Sequence, residues 1–268
     1  MNKFLSFVTN CSSTKDKNTS LKLKKPPIGL DDDAYIPILK SERKAFFRGT
    51  ELENKWVDSI YQKMTFDEKV GQLFMIAAYS NKDSVHVNAI EKLIKDYKIG
   101  GLIFFQGGPM RQARLTNNYQ ALSKVPLFIG IDAEWGLAMR IENTPQYPYA
   151  ITLGALPESE VDLVYEVGKQ IGTDLKAAGI LYNLAPLADI NNNPDNPVIG
   201  YRSFGESKEK VALFANAYLK GMSDAGILGC LKHFPGHGNT NVDSHLGLPI
   251  LNESLDQLLA NELYPFIK

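Results

Sequence analysis

The residues of this chain best suited to chemistry are concentrated in Lys232-His233-Phe234-Pro235-Gly236-His237-Gly238 and the nearby Asp243-Ser244-His245. Three of its four histidines fall within these few residues, directly behind the apolar run Ile227-Leu228-Gly229-Cys230-Leu231. An imidazole titrates near neutral pH, so it can give a proton in one step and take it back in the next. A carboxylate two residues away, as Asp243 is from His245, can fix the ring's tautomer and stabilise its charged form. The glycines and proline beside the histidines suit a backbone shaped to approach something closely. A zinc site is disfavoured, because Pro235 and Gly236 between His233 and His237 exclude the helix on which His-x-x-x-His binds metal. No metal is therefore expected. His86 lies in a polar segment and reads as a surface residue, and His237, between two glycines, as a loop-ordering one.

These side chains need a scaffold, and the sequence alternates helical and strand-like segments from Glu51 onward. Trp56, Ile60 and Met64 recur at helical spacing, so residues 52–64 read as an amphipathic helix. Thr65-Phe66-Asp67-Glu68 has the form of a capping box opening a second helix. Further helices are expected over 87–97, 109–122, from Val161 to a stop at Gly179, over 207–224, and over 254–268. Between them lie five apolar runs, near residues 72, 102, 129, 184 and 229, the fourth spanning Ile180 to Ile190. Near-continuous apolar strands separated by helices argue for a parallel sheet covered on both faces. Asp132 and Glu134, Asp189 with its Asn-rich loop, and Lys232 with His233 all follow strand C-termini, where α/β folds place their sites. The absence of GxGxxG or Walker sequences weakens a dinucleotide or nucleotide reading, and no cofactor is expected. An α/β fold of the (β/α)8 TIM-like barrel type is favoured, incomplete, with about five of the eight strands present.

At 268 residues and 44% hydrophobic content the chain can bury a substantial core. A net charge of −1 gives no argument for nucleic acid, and no apolar run approaches the length of a transmembrane segment. Residues 1–45 read as a signal-like or disordered tail, and residues 46–268 as the barrel part. Met1-Asn2-Lys3-Phe4-Leu5-Ser6-Phe7-Val8 begins like a secretory signal, with an apolar part shorter than usual. Cys11-Ser12-Ser13 resembles a lipoprotein cleavage site, which leans the compartment toward the cell envelope or periplasm over the cytoplasm; a plain tail is the alternative. The other cysteine, Cys230, reads as a small buried thiol.

Four blocks, in order, resemble glycoside hydrolase family three, and in particular its β-N-acetylhexosaminidase branch. They are Ile131-Asp132-Ala133-Glu134-Trp135-Gly136 with Arg140; Asn183-Leu184-Ala185-Pro186-Leu187-Ala188-Asp189 with Asn196-Pro197-Val198-Ile199-Gly200; Arg202-Ser203-Phe204-Gly205; and the histidine-rich segment through His245. The resemblance implies a retaining, exo-acting enzyme that removes terminal N-acetylglucosamine from peptidoglycan fragments or chitooligosaccharides. It implies that Asp132, Arg202, Lys232 and His233 hold the hydroxyls of the terminal sugar, that His245 is the acid/base, and that Asp243 is its partner. It places the nucleophile, an aspartate after the seventh barrel strand, beyond Lys268. The 268 residues alone are expected not to turn over substrate, and an inactive sugar-binding relic is the alternative reading. Trp135, where many relatives carry glycine, either alters the sugar pocket or packs.

Each residue also has a plainer role open to it. Lys232 can pair with an acid such as Asp189, Arg202 can anchor its loop to Asp189 or Asp195, and Glu134 can serve as a partner for Arg140. His245 can order its loop rather than transfer a proton. Asp189 reads as structural, and Asn191, Asn192, Asn193 and Asn196 as shaping their loop through side-chain-to-backbone bonds. Hydrolysis and phosphorolysis, and the number of subunits, stay open at this level.

Overall fold

The computed structural model describes residues 51–268, so the tail with Cys11, and the boundary near residue 45, lie outside the described residues. Residues 57–268 form one compact unit. Its sheet has five parallel strands in sequence order: β1 Met75–Ala78, β2 Gly101–Phe104, β3 Phe128–Ile131, β4 Tyr182–Asn183 and β5 Leu228–Gly229. This is one open sheet, as expected of an incomplete TIM-like barrel, with β1 and β5 at its edges. The register brings Ala78, Phe104, Ile131, Asn183 and Gly229 level with one another at the strand C-terminal ends.

Local chemistry starts and stops the helices where the sequence indicates. Helix α1 spans Glu51–Tyr61, and α2, Phe66–Gly71, opens on the anticipated capping box: Thr65 Oγ1 accepts from Glu68 N–H at 3.2 Å while Glu68 accepts from Thr65 N–H at 3.0 Å. Helix α3 covers Ser84–Tyr97, α4 Pro109–Leu122 with its proline in the first turn, and α5 Ala150–Gly154. Helices α6, Val161–Ala177, and α7, Lys208–Asp224, pack together through glycines: a Cβ at Gly168 would lie 2.3 Å from Tyr218 O, and one at Gly221 2.1 Å from Tyr165 O. The expected stripe of α6 supplies Val164, Ile171 and Leu175 to the core, beside Phe214 and Met222 of α7 and Leu102, Phe104, Ile129 and Ile131 of the sheet. Full burial of each such side chain contributes about 1.5–3 kcal/mol.

Three expectations need correction. The strand expected over Ile180–Ile190 is regular only at Tyr182–Asn183, because Pro186 has no N–H to donate. Pairing with the fifth segment nevertheless resumes beyond it, with Cys230 N–H donating to Ala185 O at 2.9 Å and Ala188 N–H to Lys232 O at 2.7 Å. The helix expected over 254–268 is two short ones, α8 Leu255–Ala260 and α9 Tyr264–Ile267. Pro265 fits only a first turn, and the buried Glu262 between them accepts from Asn192 Nδ2 at 3.2 Å. Cys230 is half-buried, since it lies at the sheet edge where Leu228 is itself exposed. Among the described residues, no helix is long and apolar enough to cross a membrane, and no group of three His, Cys, Asp or Glu side chains is placed to hold a metal ion.

Candidate active site

Three loops at the C-terminal ends of β3, β4 and β5 meet in one ionic cluster. Asp132 follows β3 directly; its Oδ1 accepts from Lys232 Nζ at 2.6 Å, and its other oxygen from Arg140 Nη2. Two residues on, Glu134 receives Arg202 in a fork, Nη2 to Oε1 at 2.6 Å and Nε to Oε2 at 2.9 Å. Lys232 Nζ also lies 2.7 Å from Glu134 Oε1, so a single ammonium joins the two carboxylates. The cluster thus holds three cations, Arg140, Arg202 and Lys232, against two carboxylates. Burial alone would raise the Asp132 carboxyl, but Lys232 and Arg140 outweigh it and hold it below the ordinary carboxylate value. Burial opposes the charge of Arg202, and Glu134 more than restores it, raising the guanidinium above its usual value.

Buried polar groups fix the loop that carries these carboxylates. Asn183, the last residue of β4, clamps Ala133: its Oδ1 accepts Ala133 N–H at 3.0 Å and its Nδ2 donates to Ala133 O at 3.1 Å. From α7, the hydroxyl of the buried Tyr218 donates to Glu134 O at 3.1 Å. Burial pushes that phenol's pKa up, so it stays a donor. Neither residue stood out as functional in the sequence. Asn183 carried a readable signal, an amide inside an apolar strand that must find partners when buried.

A second group adjoins the first through the Lys232–His233 peptide. Asp189, fully buried, accepts the His237 N–H at 2.7 Å and the His233 N–H at 3.1 Å, and lies 2.6 Å from His233 Nδ1. A carboxylate accepts, so His233 carries its proton on Nδ1 and presents Nε2 as an acceptor from its partly exposed ring. The His237 ring is buried against Thr240, and Asn196 Nδ2 donates to His237 O at 2.7 Å and Thr240 O at 2.9 Å. His237 therefore orders the loop, as do Asn193 and Asn196, in keeping with the sequence.

His245 and Asp243 form a separate pair on the loop beyond. Asp243 Oδ1 lies 2.7 Å from His245 Nδ1 and accepts His245 N–H at 2.9 Å, and these two bonds hold its carboxyl below the usual range. The His245 side chain is 81% exposed. Among the described residues, no hydrogen bond or ion pair links the dyad to the ionic cluster. The structure brings Asp132, Arg202, Lys232 and His233 together and sets His245 and Asp243 apart. It also reassigns partners: Arg202 pairs with Glu134 rather than Asp189 or Asp195, Glu134 does not pair with Arg140, and Lys232 takes Asp132 and Glu134 instead of Asp189. His86 is half-buried, with Nε2 accepting Tyr79 N–H at 3.1 Å, and is not a plain surface residue.

Residues 65–268 match the model of the glycosyl hydrolase family 3 N-terminal domain. The chain belongs to glycosyl hydrolase family 3. It is 40% identical over 188 residues to β-hexosaminidase A of Pseudoalteromonas piscicida, covering 66% of this chain and 31% of that protein. It is 38% identical over 180 residues to a β-hexosaminidase of Neisseria meningitidis serogroup C, covering 64% and 50%. Among solved structures, a family 3 β-N-acetylglucosaminidase from Paenibacillus sp. aligns with a TM-score of 0.69 at 39% identity, over 76% of this chain and 39% of that one. NagZ from Neisseria gonorrhoeae, solved in complex with N-trifluoroacetyl-D-glucosamine, aligns with a TM-score of 0.63 at 33% identity, over 72% and 58%. The chain thus spans about a third to a half of the length of these curated relatives.

Proposed function

We propose that this chain supplies the sugar-holding and proton-transfer parts of a retaining, exo-acting β-N-acetylhexosaminidase that acts on terminal N-acetylglucosamine of peptidoglycan fragments or chitooligosaccharides. The observation that carries the reading is the His245–Asp243 pair at 2.7 Å on the loop following the Asp132–Lys232–Arg202 cluster. A sugar hydroxyl both gives and takes hydrogen bonds. Asp132 offers acceptor positions, Lys232 and Arg202 offer donors, and His233 Nε2 offers one more acceptor, all on loops fixed by buried bonds. These residues bind the terminal sugar.

Cleavage then needs a proton on the departing oxygen while positive charge develops at the anomeric carbon. Asp243 keeps the His245 proton on Nδ1 and stabilises the imidazolium, so Nε2 delivers its proton to the glycosidic oxygen as that bond breaks. A carboxylate, assigned to an aspartate outside these 268 residues, forms the bond to the anomeric carbon. In the second half the neutral Nε2 takes a proton from water, which attacks the same carbon and releases the carboxylate. An imidazole suits both halves because its ordinary pKa of about 6.5 lies near working pH.

The test uses the protein extended to its relatives' length, assayed on aryl N-acetyl-β-glucosaminides of graded leaving-group acidity. His245→Ala is expected to lower kcat/KM about 10²–10⁴-fold for poor leaving groups, the usual worth of general acid catalysis. For nitrophenolate-type leaving groups, which depart unprotonated, the loss shrinks. Equal losses across the series would contradict the proton-donor role.

A further inference from the structure

Arg140 is the cation of the ionic cluster that the sugar-holding group does not include, and it serves one residue. Its Nε–H donates to Asp132 O at 3.2 Å, and its Nη2 donates to Asp132 Oδ2. One planar guanidinium thus joins the main chain and the side chain of Asp132, which fixes the rotation of the carboxylate. Lys232 takes the opposite oxygen, Oδ1. Arg140 also lies over the Phe105 ring, its Cζ 5.1 Å from the centroid. A cation within about 6 Å of a ring centroid is attracted by the negative face of the ring. The ring has no acceptor oxygen, so it draws the charge without competing for the N–H groups that reach Asp132.

Phe105 can hold a neighbour still because the loop after β2 is stitched to the loops on both sides of it. Phe105 N–H donates to Ala78 O at 3.0 Å, and the N–H of the buried Ser80 donates to Gln106 O at 2.8 Å, tying the loop to the end of β1. Glu142 N–H donates to Gly107 O at 2.9 Å, tying it to the segment that carries Arg140. Gly107 adopts φ +118°, and a Cβ there would lie 2.0 Å from Ser80 Oγ, so these loops pack without slack. The Phe105 ring stacks on Tyr79 with centroids 5.8 Å apart, and Lys82 Nζ stands 3.7 Å over Tyr79. Two cations and two rings therefore form one series of contacts, Lys82–Tyr79–Phe105–Arg140, that ends on Asp132.

We propose that Phe105 is a positioning residue of the terminal-sugar site: acting through Arg140, it sets the orientation in which Asp132 presents its carboxylate to the sugar. The inference rests on the proposed sugar-holding role of Asp132 and adds a residue that itself touches no sugar. The Arg140 side chain is 26% exposed, so without the ring its guanidinium can turn to water. Asp132 would then keep Lys232 as its only cationic partner and lose the bond that fixes its rotation. Leucine at position 105 fills most of the space but has no π face, whereas tyrosine keeps the face.

Calorimetric titration with N-acetylglucosamine, paired with NMR titration of the Asp132 carboxyl carbon, tests the role in the parent, Phe105→Leu, Phe105→Tyr, Arg140→Met and the Phe105→Leu/Arg140→Met double variant. Phe105→Leu is expected to weaken sugar binding about threefold to tenfold, the worth of one partly desolvated cation–π contact, and Phe105→Tyr to stay within about twofold of the parent. In the Arg140→Met background, Phe105→Leu should change affinity by less than about twofold, because the residue through which the ring acts is gone. Burial pushes the Asp132 carboxyl up, and Lys232 and Arg140 more than offset it. Its titration should therefore move up toward the ordinary carboxylate range in Phe105→Leu and stay in place in Phe105→Tyr. If the leucine variant does not fold, Phe105→Met carries the same expectations. An equal loss of affinity in both backgrounds would show the ring touching the sugar directly and overturns the positioning role. A Phe105→Leu protein that melts earlier but binds and titrates like the parent overturns it as well. Failure of the parent to bind the sugar overturns the sugar-holding reading, while the carboxyl titration, which needs no ligand, still decides whether Phe105 acts on Asp132 through Arg140.

Discussion

Glu134 holds two cations at once, and its replacement tests whether the ionic cluster is a single unit. Its side chain is 5% exposed, those of Lys232 and Arg202 are 12% and 14%, and its two oxygens make charged contacts at 2.6, 2.7 and 2.9 Å. Glu134→Gln keeps the size but removes the charge, leaving three cations facing Asp132 alone, and it turns an amide NH2 toward groups that are themselves donors. Removing one partner of a buried pair costs about 3–5 kcal/mol; the lower end applies here because Asp132 still partners Lys232. About 3 kcal/mol corresponds to a melting temperature lower by roughly 6–12 °C for a unit of this size. The assay is thermal unfolding of Glu134→Gln, Arg202→Met and the double variant. The two residues touch, so the double variant should lose less than the sum of the singles by about 1–3 kcal/mol. A Glu134→Gln melt within about 2 °C of the parent, or simple additivity, would show that the cluster does not act as one unit.

Three further outcomes follow from the geometry. Burial first, and Lys82 second, depress the His86 pKa below its ordinary value of 6.5. The unfolded chain therefore binds the proton more readily, so the His86 contribution to stability is complete above about pH 6.5 and declines as pH falls from there toward the lowered native pKa. His86→Gln, whose amide oxygen can still accept from Tyr79 N–H, should flatten the difference in melting temperature between pH 8 and pH 5; an unchanged slope would contradict this. A Cβ at Gly238 would stand 1.7 Å from Ile190 O, a backbone atom, so Gly238→Ala should cost about 1–3 kcal/mol in a denaturant titration, and a neutral result would show that the loop does not approach so closely. The Asp132 carboxyl, held below the usual range by Lys232 and Arg140 against the opposing effect of burial, contributes stability above its unfolded pKa that is lost as pH falls through the native value. Asp132→Asn should weaken N-acetylglucosamine binding and remove that acid limb from the melting curve; a limb that persists would assign it to another group.

Much of the scaffold was legible because its signals are local. The capping box at Thr65–Glu68, the helix Pro109–Leu122, the stripe Val164–Ile171–Leu175 and the apolar strands each depend on residues within a turn or two. Asp132, Lys232 and His233 drew attention because polar groups just past apolar strands need a reason to be there, whereas Arg202, on a turn-rich loop, and the sugar-holding role of all four were indicated only by the likeness to the family's motifs. Their pairing could not be read. Glu134 and Arg202 are 68 residues apart, and Asp132 and Lys232 are 100 apart, so the sequence left several acids open to each cation. Only the parallel register, which sets the ends of β3, β4 and β5 level, decides among them. Tyr218 escaped notice for a related reason: on the buried stripe of α7 it reads as core, and its hydroxyl finds Glu134 O only once the helix is packed. His86 looked like a surface residue because the N–H it accepts is supplied by the end of a strand.

The Asp132–Lys232–Arg202–His233 group is proposed to hold a terminal N-acetylglucosamine. A crystal structure of the protein with that sugar tests it most directly. Ring hydroxyls are expected within hydrogen-bonding distance of the Asp132 carboxylate, Lys232 Nζ, the Arg202 guanidinium and His233 Nε2, with the anomeric carbon turned toward the His245 loop. A sugar bound elsewhere on the chain, with the cluster closed on itself, would contradict it.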